Sequence, residues 1–135
     1  TPHEIWDEIT ANIDKTLKKL ENDREKSGKN ISHIIIMASI LEKEAKGDND
    51  APYISGILWK RINIGMALQV DAAPVTYDEA GLPSKPICNP GLVSIKAAIN
   101  PKNSSYLFYL HDDDGQVHYA EDFSEHRSNI AHYLK

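Results

Sequence analysis

The chain has 135 residues, 41% of them hydrophobic and 26% charged, with a formal net charge of −5. That is the size and balance of one globular domain with its own core, and the acidic excess argues against a nucleic-acid reader, which carries a basic patch. Its one cysteine, Cys88, excludes an internal disulfide and a multi-cysteine metal site, and no apolar run reaches the ~18 residues of a membrane span.

The opening TPHE supplies an N-cap in Thr1, a first-turn proline in Pro2 and a capping-box glutamate in Glu4. Ile5, Ile9, Ile13, Leu17 and Leu20 then recur at helical spacing and predict one amphipathic helix to Lys26, stopped by Ser27-Gly28. Lys18, Lys19, Arg24 and Lys26 read as its solvated basic face. Because the chain opens directly on a helix signal, it is expected to be a piece of a longer protein. A second helix is expected from Ser32 to Lys46 with Gly47 as its stop, and the apolar content from Ile34 to Leu41 makes it centrally buried. Asp50 is the expected N-cap of a third helix, APYISGILWKRINIG, closed by Gly65. MALQVD reads as short and extended, and DAAPVTYDEAGLPSKPICNPG, rich in proline, as a shaped loop. LVSIKAAIN is a short helix ended by Pro101. YLFYL and VHYAE flank HDDDGQ, a hairpin with Gly115 in its turn, and a final helix from Ser124 carries Ile130, Tyr133 and Leu134. The expected fold class is α+β, a mainly helical single domain with a small antiparallel sheet.

The second helix raises the chemical question, because ASILEKE ends a greasy run with two glutamates two residues apart. On a helix such positions diverge by about 200°, so only one of them faces a given cleft. Glu44 continues the stripe of His33, Met37, Ile40 and Leu41. Glu42 has the mixed company of Ser39, Ala38 and Ile35, and Lys46 stands one turn ahead as an ion-pair partner. Apolar surroundings and the negative end of the helix dipole both disfavour the Glu44 carboxylate, which suits a general acid. The plainer reading is a glutamate that snorkels to water from a helix end.

The histidines do not make a metal site: His126 and His132 are six apart, and His111 and His118, which could approach each other across the hairpin, have no third ligand in sight. HDDDGQ lacks the ligand spacing of a calcium loop. Cys88 has no partner base, and Ser94 reads as helix packing. Neither a metal nor any other cofactor is expected.

Four ordered blocks carry a resemblance: ASILEKE at 38–44, KRINIGMALQVD at 60–71, GLPSKPICNPGLVSIKAAINP at 81–101 and YLFYLHDDDGQVHYAEDFSEH at 106–126. Together they resemble the YceG-like, or MltG, family of endolytic murein transglycosylases. The resemblance implies a lysozyme-like catalytic helix on which Glu44, the second glutamate of E-K-E, is the sole general acid and base. The implied reaction is a lyase cleavage of peptidoglycan glycan strands between N-acetylmuramic acid and N-acetylglucosamine, leaving 1,6-anhydromuramoyl ends. It further implies a bacterial parent protein, anchored in the cell membrane on its extracytoplasmic, periplasmic side and working in cell-wall biogenesis beside cell-wall synthases. The anchor and a LysM-like module would then lie outside this chain, leaving residues 1–135 as one catalytic domain.

Within that setting Gln69 and Asp71, two apart on an extended segment and so on one face, suit sugar hydroxyls or the acetamido group, unless they are an ordinary edge strand. Asn89 either presents its amide to substrate or caps the helix beginning near Leu92, and Tyr77 either stacks on a sugar or packs. The chain departs from the family where DAAPVTY moves a proline to Pro74, and in a shortened stretch before GLPSKP. Two rival functions stand beside the transglycosylase: a hydrolytic muramidase, and a non-catalytic peptidoglycan- or synthase-binding module, which the shortening favours.

Overall fold

The run Ile34–Leu41 is buried without a break, and the other elements gather round it. The computed structural model describes residues 1–11 and 15–134. Helix α1 (Pro2–Ala11) starts with the capping box read from the sequence, the Thr1 hydroxyl accepting from the Glu4 N–H at 3.2 Å. Helix α2 (Lys15–Ser27) follows. Ile13, on which one continuous helix was expected to turn, lies outside the described residues. Trp6 from α1 and Leu20 from α2 are buried in the common core.

Helix α3 (Ile31–Glu44) is the central element and packs against α1, α4 and α6. Asn30 caps it, Oδ1 accepting from the His33 N–H at 2.8 Å. It stops at Glu44, short of the Lys46 expected, because Ala45 turns extended (φ −79°, ψ 130°). Gly47 therefore does not end the helix. It opens the turn closed by the Asp50 N–H on its carbonyl (3.2 Å), which leads into α4 (Ala51–Asn63). Gly65 (φ +74°) closes α4 as read, with the Met66 N–H returning to the Arg61 carbonyl at 2.8 Å. Asp50 makes no capping bond with its side chain, which instead accepts from the Tyr119 hydroxyl at 3.2 Å.

Helix α5 (Val75–Asp78) is a single turn in the proline-rich loop, and α6 (Leu92–Ile99) packs on α3. Glycine at 56 is required where α4 meets the segment after α6: a Cβ there would sit 2.1 Å from the Lys102 carbonyl oxygen. Strands β1 (Phe108–His111) and β2 (Val117–Ala120) pair antiparallel, Phe108 opposite Ala120 and His111 opposite Val117. Helix α7 (Phe123–Tyr133), capped by Asp122 on the Glu125 N–H (2.8 Å), lies on both strands and has no buried residue. The architecture is α+β as expected, mainly helical with one two-stranded sheet among the described residues. No helix among them is long and apolar enough to cross a membrane.

Glu42 does not pair with Lys46, since the helix ends before that residue. Its Oε1 instead accepts from the Gly91 N–H (2.7 Å) and the Ser94 hydroxyl (3.1 Å). Gly91 holds the N-cap position of α6 with no side chain to offer, so a carboxylate from α3 does the capping, where it also meets the positive helix end. Glu42→Ala is expected to cost about 1 kcal/mol, read as a lower midpoint in thermal denaturation, with Glu42→Gln losing less because it keeps an acceptor.

Candidate active site

Glu44 is the last residue of α3, three positions beyond the end of its buried run at Leu41. It lies half-buried in the wall of a cleft of about 750 Å³. The cleft runs between the end of α3, the loop carrying Gln69, Asp71 and Tyr77, strand β1 and the exposed side of α7. Burial raises the Glu44 carboxyl above the ordinary carboxylate range, opposed by the hydroxyl of Tyr109, which donates to Oε2 at 3.2 Å. The charge of Asp71 raises it further, and those of Lys46 and Arg61 lower it. The group is thus a half-buried acid with a donor and cations at hand for its conjugate base, the equipment of a carboxyl that gives up a proton and takes one back.

Tyr109 and His111 alternate along β1 and share a face, their rings in edge contact at 6.0 Å. Burial, then the charge of Glu44, push the Tyr109 phenol well above its ordinary value, so it remains a donor. Arg61 is 5% exposed. Its Nε donates to the Leu107 carbonyl (3.0 Å) and its Nη1 to the Leu68 carbonyl (2.6 Å), beneath the rings of Phe108 and Tyr109. One side chain of α4 therefore ties the loop before Gln69 to the entry of β1 and sets the distance between two walls of the cleft.

Gln69 and Asp71 both line the cleft, but not by the expected route. The segment is no strand: Gln69 has φ +54°, in the left-handed region that disfavours a side chain. Buried Thr76 holds it there, its hydroxyl accepting from the Val70 N–H (2.9 Å) and donating to the Ala73 carbonyl (2.6 Å), while its own carbonyl accepts from the Gln69 N–H (3.2 Å). The loop is wound round one threonine, and both side chains emerge on its inner side. Tyr77 also lines the cleft, its hydroxyl donating to Asp71 Oδ1. That bond first, then burial, push its phenol up to about 12.

Asn89 is not brought to the cleft. It lines a separate groove with Thr1, Pro2 and Ile5, and it does not cap α6, a place taken by Glu42. His111 and His118 do not approach one another either: they sit at adjacent register positions on opposite faces of the hairpin. His118 binds Asp112 Oδ2 at 2.8 Å and stacks on Tyr133.

Among the cleft residues that the sequence did not mark as site residues are Arg61, Tyr109 and Lys43, and Lys46 was read only as a partner for Glu42. Arg61 carried a usable signal, a cation seven residues after Ile54 and three after Leu58, on the buried stripe of its helix. Tyr109 carried none beyond its alternation with His111.

A family model described as the YceG-like family matches residues 1–75 and 75–132. The endolytic murein transglycosylase of Streptococcus pneumoniae strain D39 is 25% identical over 162 residues, covering 99% of this chain and 29% of that protein. The endolytic murein transglycosylase of Bacillus subtilis strain 168 is 27% identical over 155 residues, covering 96% and 43%. The crystal structure of a YceG-like protein from Listeria monocytogenes superposes with a TM-score of 0.77 at 28% identity, over 84% of this chain and 44% of that one. The chain therefore spans less than half the length of each. The two family segments meet at Val75, in the loop where the sequence departs from the family's pattern.

Proposed function

The chain belongs to the YceG-like family, and from that premise we propose that it is the catalytic domain of a peptidoglycan lytic transglycosylase. Two supports stand together: relatives named endolytic murein transglycosylase, and the observation that carries the reading, a half-buried Glu44 whose proton is held by its surroundings in an open cleft. The substrate is the glycan strand and the bond that between N-acetylmuramic acid and N-acetylglucosamine. Glu44 protonates the glycosidic oxygen as that bond breaks, and the muramic acid's 2-acetamido oxygen stabilises the anomeric carbon. The Glu44 carboxylate, now stabilised by the Tyr109 hydroxyl, then takes the proton of the sugar's 6-hydroxyl while that oxygen closes on the anomeric carbon. The attack is intramolecular, so a cleft that holds the geometry needs no activated water. Gln69 and Asp71 are suited to the acetamido group or hydroxyls, and Tyr77 to a sugar face. The parent protein is then anchored on the extracytoplasmic face of the bacterial membrane, where murein lies, with cell-wall synthases for neighbours.

Asp71 favours a second reading, since a carboxylate in the same cleft as an acid is also the arrangement of a hydrolase. Mass spectrometry of isolated, uncrosslinked strands after incubation separates the outcomes. Products ending in anhydromuramic acid, one water lighter than reducing ends, are expected. Reducing ends would make the protein a muramidase, and intact strands a binding module.

The pH profile should follow Glu44. Activity is highest while it is protonated and falls as pH rises through its raised pKa. Tyr109→Phe removes a bond that favours the carboxylate, so the alkaline limb moves up in pH. Asp71→Asn removes a negative neighbour and moves it down. Initial rates of both variants across the pH range check the opposite signs.

A further inference from the structure

Four cations of this acidic chain are occupied away from the cleft. Arg24 binds Glu21, Lys60 donates to the carbonyls of Ser104 and Tyr106, and Lys29 and Lys102 lie over the rings of Trp59 and Tyr53. Lys43, Lys46 and Arg61 differ: all three line the cleft, and none is in an ion pair among the described residues. Burying a guanidinium without a carboxylate is costly, and Arg61 is almost wholly buried. Its Nε and Nη1 are held by carbonyls, and Nη2 donates to no group among the described residues. Of the carboxylates that line the cleft, Asp71 is engaged by Tyr77, and Glu44 holds its proton when ready to act. A walled cleft with this excess of positive charge, in a chain of net charge −5, attracts an anion.

We propose that Arg61 and Lys46 form an anion subsite beside Glu44 for the carboxylate carried by the 3-O-lactyl substituent of muramic acid. That carboxylate is the free lactyl group on a peptide-free sugar, or lies further out on its stem peptide. The inference rests on the murein reading of the cleft and adds to it a reason for the choice of bond. Both sugars of the strand carry a 2-acetamido group, and only muramic acid carries the lactyl ether. A cation beside the acid therefore sets which of the two alternating linkages comes to rest on Glu44. Lys46 is placed for this, its charge felt by both Glu44 and His111, and Arg61 acts beside it, its charge felt by Glu44 and His126.

The test uses the chain as Glu44→Gln, so that strands stay intact, and measures dissociation constants for four labelled oligosaccharides of equal length. They are peptide-free murein strands, the same strands with every lactyl carboxylate converted to its methylamide, strands bearing stem peptides, and chitin oligomers. Carboxylate-bearing strands should bind about tenfold tighter than the methylamides and chitin. That margin should shrink with added salt and vanish in a second variant carrying Lys46→Gln, and the peptide-free and stem-bearing arms identify which carboxylate is read. Equal affinities for acid and methylamide, a Lys46→Gln effect common to all four ligands, or no binding at all would each overturn the proposal. Cleavage of strands by the unaltered chain is scored separately. Cleavage without discrimination sinks the subsite alone, and discrimination without cleavage sinks the transglycosylase reading alone.

Discussion

Glu44→Gln should lower kcat on glycan strands by at least about a thousandfold while strand binding is nearly unchanged. General acid–base catalysis by one positioned group is worth roughly 10² to 10⁴, and here the same carboxyl is asked to donate in one step and accept in the next. The amide keeps the size of the side chain and its place beside the Tyr109 hydroxyl, so the loss reports proton transfer rather than shape. Stability separates the two further. Folding raises the Glu44 pKa, so the folded protein binds this proton more tightly than the unfolded chain does. While the carboxyl is protonated in both states, below the ordinary carboxylate range, the burial has no ionic penalty. As pH rises from there through the raised value, the unfolded chain ionises first and stability is lost. Glutamine has no such proton. The variant should match the parent in acid and be at least as stable at alkaline pH, measured as denaturation midpoints on either side of the raised value. A variant less stable at both pH values would mean that the kinetic loss reflects damage to the fold.

Gly56→Ala is the substitution expected to cost most stability, about 3 kcal/mol or on the order of 10 °C in Tm. The added methyl would lie 2.1 Å from the Lys102 carbonyl oxygen and 3.0 Å from its carbon, both backbone atoms with no rotamer to escape into. The Lys102 N–H is itself bonded to the Pro52 carbonyl at 2.9 Å, so the segment after α6 cannot retreat without breaking a bond to α4. Gly47→Ala is the matched control. Its nearest neighbour would be 4.0 Å away and its backbone lies outside the left-handed region, so its midpoint should move little.

The central helix was legible because its signal is local: eight apolar or small residues in a row can only be buried, and both glutamates follow from counting along the helix. The capping box at Thr1, the glycine stop of α4 and the hairpin turn at Gly115 are local too, and the structure shows them as read. Errors arose where a distant group overrode a local cue. Gly47 looked like a helix stop, yet the chain leaves α3 earlier to make the turn into α4. Glu42 looked like half of an i,i+4 pair, yet it serves a helix end 49 residues away. Gln69 and Asp71 looked like neighbours on a strand, whereas the hydroxyl and carbonyl of Thr76 bend the loop that presents them. Arg61 was passed over because a cation in a helix is ordinarily solvated, and only the apolar residues on its own stripe said otherwise.

The β-hairpin and α7 form one side of the cleft, and α7 buries none of its residues, leaving Phe123 and Ile130, with Leu134 just past its end, on the surface. Such a unit opens at a lower free-energy cost than the α3 core. When it opens, water reaches Glu44, the main cause of its raised pKa is gone, and it becomes an ordinary surface carboxylate. The acid is therefore only as durable as this unit, and warming should extinguish turnover while the helical core is still intact.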